Sequence, residues 1–478
     1  MIKKIILLSF LLGNLTIAIK AQDTWSLERC IDYAQKNNIS VKQSQLQIGN
    51  TDLATRQSKA ARYPGVNFST NIGSNFGYSI NPSTNQFETQ AIGFNSGSIN
   101  VNQTIYGGGR VNKSIAQAKI NSEAAQADLE QTVQNISLNV ASAYLQILLA
   151  EEQLAAAKKR YEQSKQQLEQ MEKLIAAGSR PSNDKMDFIA QMARNEQALV
   201  SNQNTIDIGY LSLKQLLELD PEVPFKIERP LLNPPTNNDV EGITLRAIYN
   251  QAFSRQPQIK AGELRLRSAE LDAEIAKSDK LPTISAFGSV SSNYSTIAQT
   301  RDLSTPPTTV FSTSDVTVNG TPVKVTNKFD LYEYKKISYF TQIGDNFGQA
   351  LGISIQVPIY DRGFTRIAVE RARLSAMNQH LLNQRTQQQL KSDIQTALSN
   401  AKAAKKQLEA AEKTFNAAKG SYDNADKKYK VGSATPFEIT TARNNMDTAE
   451  RDVIVAKYDY IFKLKIVDFY QGKKIILN

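Results

Sequence analysis

Cysteine, histidine and tryptophan each occur once in 478 residues. A single cysteine forbids an internal disulfide, and Cys30, on an apolar helical face, reads as a buried thiol rather than a lipid attachment site. A single histidine, His380, excludes a His-based triad or a multi-His metal site. Its polar helical setting predicts a solvent-facing ring. The acidic residues lack the paired context of acid–base chemistry, so the expectation is a chain that is not an enzyme and needs no cofactor or metal. Long apolar runs are also missing. Beyond the N-terminus none reaches the roughly 18 residues of a membrane-spanning helix, which leaves either no membrane contact or a β-barrel. The formal charge of +10 is spread without a concentrated basic tract and reads as a solvated surface, with no nucleic-acid partner.

The first residues carry an address. Lys3 and Lys4 precede an apolar run from Ile5 to Leu12, and Ile19-Lys20-Ala21 offers a cleavage site before Gln22, so residues 1–21 read as a secretory signal peptide.

What is abundant is a fixed beat. Ala397, Ala404, Ala411, Ala418 and Ala425 stand seven apart, and Ile394, Ala401, Leu408, Phe415, Tyr422 and Tyr429 keep the same step between them. Alternating spacings of three and four are the seam of a supercoiled helix. The small alanine row lets a neighbouring backbone approach closely. Val133, Val140, Ile147, Leu154 and Tyr161 form an earlier seam, with Ile136, Ala143, Ala150 and Ala157 as its small row.

Two ungapped overlays show that the chain is duplicated. Adding 218 carries 25–68 onto 243–286, so that Ala34 falls on Ala252, Asn38 on Gln256 and Pro64 on Pro282. Adding 254 carries 98–217 onto 352–471, so that Tyr106 falls on Tyr360 and Gly178-Ser179 on Gly432-Ser433. The offsets differ by 36 residues, an insertion in the second copy between Phe287 and Leu351. A repeat this long is a duplicated domain rather than a solenoid unit. The domain reading is therefore a signal at 1–21, a first repeat at 22–219, a proline-rich connector at 220–240, and a second repeat at 241–478 with an inserted extracellular loop at about 287–351.

Each copy opens with a helix, expected over 27–62 and 245–280, and leaves it at a proline. The period then switches to two. Val66, Phe68 and Ile72 alternate with Asn67, Ser69 and Asn71, and Ile353, Ile355, Val357 and Ile359 alternate with Ser354 and Gln356. A second pair of strands comes from Ile99, Val101 and Ile105 and from Ile284, Ala286 and Val290. An extra hairpin is expected around 332–340. The strands end at Tyr106-Gly-Gly-Gly-Arg110 and Tyr360-Asp-Arg-Gly-Phe364, tight corners rather than phosphate loops because no Gly-Lys-Ser/Thr follows.

Long helices then run over 110–177 and 364–431, each on the order of 100 Å at 1.5 Å per residue. Both stop at a glycine and turn into a return helix. Ser182 is the expected cap in the first copy, with Asp184 in the opening turn. In the second, Thr435, Pro436 and Glu438 spell a capping box. Four strands cannot close a membrane barrel, and open edges in lipid leave backbone groups unpaired. Closure requires several chains, and arithmetic alone does not choose among two, three or four.

The order helix–strand–strand–long helix–tip–return helix, twice over, resembles the TolC family of outer-membrane efflux proteins. So do the Pro358-Ile359-Tyr360-Asp361-Arg362-Gly363 strand end and the Tyr429-Lys430-Val431-Gly432-Ser433 tip followed by Glu438. The resemblance implies a fold of α plus transmembrane β: a long α-helical coiled-coil barrel in the periplasm, with four strands per chain contributed to a trimeric β-barrel in the outer membrane. It implies a homotrimeric, outer-membrane channel of a tripartite efflux or type I secretion system, embedded in lipid. The expected partners are a periplasmic adaptor and, through it, an inner-membrane pump.

By the same resemblance Asp184 and Tyr429 match members of the family's gate network, and Glu438 one of its lumen carboxylates. Ala434 stands where the family's type member has a tip arginine, and Thr441 where it has a further carboxylate. The gate is then either thinner or compensated by Arg180 and Asp187. The competing reading is that Asp184 and Glu438 only cap helices and Tyr429 only fills the seam. Gly178, Ser179, Gly432 and Ser433 are the implied contact points for the adaptor. A general porin leaves the long helices without a use, and a structural envelope coiled coil leaves the strands idle.

Overall fold

The computed structural model describes residues 24–80, 86–230 and 241–476. The proposed signal peptide lies outside them, as do Pro234 and Pro235 of the connector. The first copy forms α1 (Leu27–Asn37), α2 (Ile39–Ala60), β1 (Gly65–Ile80), β2 (Phe87–Gly107), α3 (Arg110–Ala176) and α4 (Lys185–Leu217). The second begins with α5 (Leu245–Arg255), α6 (Pro257–Ser278) and β3 (Thr283–Ser295). Its insertion carries β4 (Gln299–Arg301), β5 (Thr308–Val318), β6 (Thr321–Leu331), β7 (Tyr334–Lys336) and α7 (Tyr339–Asp345). It closes with β8 (Gly348–Gln356), α8 (Phe364–Lys430) and α9 (Pro436–Tyr470). The extra hairpin is thus β5–β6, upstream of the 332–340 stretch expected for it. Asn319-Gly320 supplies the tight turn, whereas Ser338 caps a short helix. The chain divides into a sheet-bearing unit, Ala54–Ala118 with Glu270–Leu374, and a helical unit made of the rest.

The sheet is antiparallel in the order β1-β2-β3-β8. Its register places Val66, Phe68 and Ile72 opposite Val101, Ile99 and Asn95, Ile99 opposite Val290, and Ile284 and Ala286 opposite Ile355 and Ile353. These rows share one face because alternate residues of a strand point the same way. The face is open: Ile72 is 78% exposed and Ile353 66%. The opposite face is mostly Asn, Ser and Gly, with Phe94 and Phe287 among them and the Ser69 and Ser98 hydroxyls 2.9 Å apart. On that face a Cβ at Gly352 would lie 2.6 Å from the Phe287 ring, so glycine leaves room for the aromatic. A bulge skips Ile105 and brings Tyr106 opposite Ile284, where simple alternation would have kept Ile105 on the apolar side. β8 stops at Gln356, short of Val357 and Ile359, because Pro358 cannot donate to a ladder.

Beyond the strands, Gly108 and Gly109 take positive φ of 62° and 79°, and the equivalent Arg362 and Gly363 take 56° and 81°. One corner is thus built twice. The second copy accepts arginine at the first left-handed position and secures the turn with Asp361, whose carboxylate accepts from Gly363 and Thr365 backbone N–H groups at 2.9 and 2.7 Å.

In the helical unit, the single opening helix expected in each copy is two. The chain straightens at Asn38 (ψ 134°) and at its counterpart Gln256 (ψ 121°). Gln256 precedes Pro257, which disfavours helical geometry there. Asn38 uses its own side chain: Oδ1 accepts from Ser40 N at 2.9 Å, and Nδ2 donates to the Leu216 carbonyl at 3.0 Å.

Two apolar cores repeat the duplication. Cys30, Ala34, Val41, Val140 and Ile147 centre the first, and their counterparts Ile248, Ala252, Ile259, Ile394 and Ala401 the second. Cys30 is fully buried, which pushes its thiol pKa up to about 12. The connector bridges Ile227 to Trp25, and the buried Tyr144 hydroxyl donates to the Glu228 carbonyl at 2.7 Å. Both seams face inward. Ile147, Ala150 and Ala157 are buried in α3, and Ile394, Ala401 and Ala404 in α8. His380 is exposed, with its ring 3.1 Å from the Gln384 side chain.

Candidate functional site at the helix tips

The tips are two copies of one turn. Gly178 N–H donates to Ile175 O at 2.9 Å and Ser179 N–H to Leu174 O at 3.0 Å. Gly432 N–H donates to Tyr429 O at 3.0 Å and Ser433 N–H to Lys428 O at 2.8 Å. This paired pattern, with a left-handed residue just past the helix, is a Schellman motif, and φ of 71° and 77° explains why both residues are glycine. Ser179 and Ser433 each add a hydroxyl bond to the same carbonyl as their own N–H, at 2.8 and 3.1 Å. All four residues are exposed, and nothing lies within 4 Å of where a Cβ would stand on either glycine.

The return helices begin differently. Thr435 Oγ1 accepts from Glu438 N–H at 3.2 Å while the Glu438 carboxylate accepts from Thr435 N–H at 3.4 Å, and Pro436 holds the first turn. In the first copy Ser182 does not cap. Pro181 opens a one-turn 3-10 helix, Ser182–Asp184, and the Asp184 N–H that a serine cap would engage donates instead to Pro181 O at 3.1 Å. The Asp184 side chain makes no capping bond either.

The structure brings three of the predicted gate residues together. The Arg180 guanidinium lies over the Tyr429 ring, 5.5 Å from its centroid, so the first tip reaches the second through a cation–π contact. Burial raises the Tyr429 phenol pKa, the Arg180 cation pulls it back, and the nearby Asp184 carboxylate pushes it up again. Asp184 acts on the ring as a through-space charge, without a hydrogen bond between the two. Glu438 is exposed and spent on its own capping box. Asp187 is exposed in the first turn of α4, outside the trio. Ala434 is buried.

A second polar cluster lies further along the helices and escaped the reading by residue type. Arg443 Nη2 donates to Gln163 Oε1 at 3.0 Å, and its guanidinium sits 5.2 Å from the Tyr422 ring centroid. Arg160 Nε stands 3.7 Å from Glu450. Asp447, one turn beyond Arg443, is buried, and that burial raises its pKa against the pull of Arg160 and Arg443. The signal was present: Ile439, Arg443, Asp447, Glu450, Ile454, Tyr458 and Ile461 follow helical spacing, so charges occupy the inward stripe of α9.

One unit holds a sheet that is apolar on one face and unpaired at both edges among the described residues, and the other holds duplicated helical hairpins whose tips carry a polar tie; these are the parts of an outer-membrane channel subunit. The comparisons agree. The family model described as outer membrane efflux protein matches residues 30–218 and 248–464, and the chain belongs to that family. It is 20% identical to the outer membrane efflux protein BepC of Brucella suis biovar 1, over 95% of this chain and 89% of that protein. It is 26% identical to the outer membrane protein TolC of Salmonella enteritidis over 187 residues, 38% of each chain. The crystal structure of the Campylobacter jejuni CmeC outer membrane channel shares the fold with a TM-score of 0.75 at 17% identity, covering 93% of this chain and 85% of that one. This is a family of transport channels, and the protein is an outer-membrane efflux channel with a helical periplasmic part.

Proposed function

We propose that three copies of the chain assemble around one axis into a duct from periplasm to exterior. The single observation that carries this is the pair of unpaired sheet edges. β1 and β8 flank the sheet, and no described strand of the chain pairs with either outer edge. In lipid those backbone groups must find partners, and copies of the same sheet supply them. Three copies contribute twelve strands, and the family resemblance favours that number.

In this reading the apolar face meets lipid and the Asn/Ser face lines a wet lumen. The tips dock a periplasmic adaptor through Gly178, Ser179, Gly432 and Ser433, and the adaptor leads to an inner-membrane pump. Arg180, Tyr429 and Asp184 hold the resting tip shut, weakly enough for docking to part them. Residues 1–21 direct export, and the inserted segment of the second repeat faces the exterior. Extraction of outer-membrane fractions without heating should yield a trimer that collapses to monomer on boiling. Deletion of the gene should abolish export while small-solute uptake is unchanged. A monomer under all conditions, or a defect in uptake instead of export, would overturn the reading.

A further inference from the structure

The insertion builds a ribbon that the channel reading leaves unused. β4 pairs with β7, and β5 with β6 through a turn at Asn319 and Gly320, whose φ values of 52° and 80° suit a tight hairpin. Val310 stands opposite Phe329 and Val316 opposite Val323, with Val318 and Val325 on the same face. On the other face Asp315 stands opposite Lys324, and Thr309 Oγ1 donates to Asp330 at 3.0 Å. That face also carries Phe311 opposite Lys328, and its charged residues are two aspartates and two lysines. Among the described residues nothing covers the apolar face: Phe329 is 52% exposed and Val318 51%.

The ribbon is firmly rooted. Gln342 of α7, 3% exposed, donates to the carbonyls of Ser295 and Ile337 at 3.0 and 2.9 Å and accepts from Ser295 N–H at 2.9 Å. Ser295 ends β3 and Ile337 follows β7, so one buried amide clamps both feet. Asn95 of β2 donates to the Tyr339 hydroxyl at 2.8 Å and ties α7 to the sheet. A two-stranded ribbon with a mostly apolar face is marginal alone in water, yet this one is clamped at its feet.

We propose that the apolar face is covered by the same face of neighbouring copies, the three ribbons joining as a β-collar over the outer mouth. The proposal rests on the trimeric reading. The sheet edges require copies of the chain side by side, and each ribbon springs from the β3–β8 connection, so every copy brings its ribbon to the same rim. Tethering there makes contact between ribbons effectively intramolecular. A charged partner is disfavoured because the other face mixes Asp315 and Asp330 with Lys324 and Lys328 and so offers no patch of one sign.

The test uses the full-length protein in outer-membrane vesicles. Cys30 is fully buried and stays unlabelled, so Val325→Cys or Lys324→Cys places one reactive thiol on either face for a maleimide–benzophenone photocrosslinker. Val325→Cys should give a covalent product of about twice the chain's mass, at least five-fold more abundant than from Lys324→Cys, with the heat-labile trimer unchanged. Val318→Cys carries the same expectation and replaces Val325→Cys if that variant fails to reach the membrane. Equal yields from both faces, no dimer from either, or a product joined to a different polypeptide overturns the collar while the trimer stands. Absence of a trimer in the unmodified protein instead removes the reading beneath it.

Discussion

Arg180 and Tyr429 belong to different helical hairpins, yet the guanidinium of one covers the ring of the other at 5.5 Å. The contact joins the two tips through a cation from the first, while Ala434 of the second tip is buried.

If that contact holds the duct closed, Arg180→Ala raises single-channel conductance in planar bilayers, and Asp184→Ala with Tyr429→Phe does so as well. A cation–π pair contributes about 0.5–1 kcal/mol when exposed and about 2 when desolvated, so a double-mutant cycle between the half-buried Arg180 and Tyr429 should show coupling within that span. Conductance unchanged in both variants would remove the tip trio from the gate.

Gly432 separates turn geometry from docking. With φ at 77°, Asn is the mildest replacement, whereas Trp adds bulk to the open space beyond the turn. Gly432→Asn should preserve export, and Gly432→Trp should abolish it with the trimer intact. Equal activity in the two variants would count against adaptor contact here.

The two sheet faces make opposite demands. Leu351 shares the apolar face with Ile353, and Ser354 points the other way. An arginine on a lipid face costs about 2–4 kcal/mol at mid-membrane depth. Leu351→Arg should therefore cut the yield of heat-labile trimer sharply, and Ser354→Arg should leave it near normal. Trimer yield after gentle extraction reads the difference.

Asp447 supplies a pH signature. Its carboxyl pKa is raised in the folded chain by burial, so folding favours its neutral form. Its folded pKa exceeds the unfolded one, hence its contribution is most favourable below the ordinary carboxylate pKa and is lost as pH rises through the folded value. Asp447→Asn should raise the melting temperature by about a few degrees at pH 7, and the gain should shrink as pH falls toward the ordinary carboxylate range. Thermal unfolding at pH 7 and pH 4 compares the two. A loss of stability at pH 7 would mean that Arg160 and Arg443 need the charge.

The tip turns, the seams and the strand faces were legible because each depends on local spacing. A glycine after a helix, a small residue every seventh place and an alternation of two are set by backbone geometry within a few residues. The break at Asn38 was not legible. It needs the Leu216 carbonyl, which arrives from a helix far along the chain. Ser182 failed as a cap for a local reason instead, since the neighbouring Pro181 carbonyl takes the Asp184 N–H.

Duplication and amphipathic faces were thus determined by sequence alone, since periodicity records which side of each element avoids water. Tertiary structure decided which charges meet. Arg180 reached Tyr429, and Arg443 reached Gln163, because close-packed seams bring separate hairpins within reach of long side chains. No local pattern encodes that proximity, because the partners' distance in space is independent of their distance along the chain.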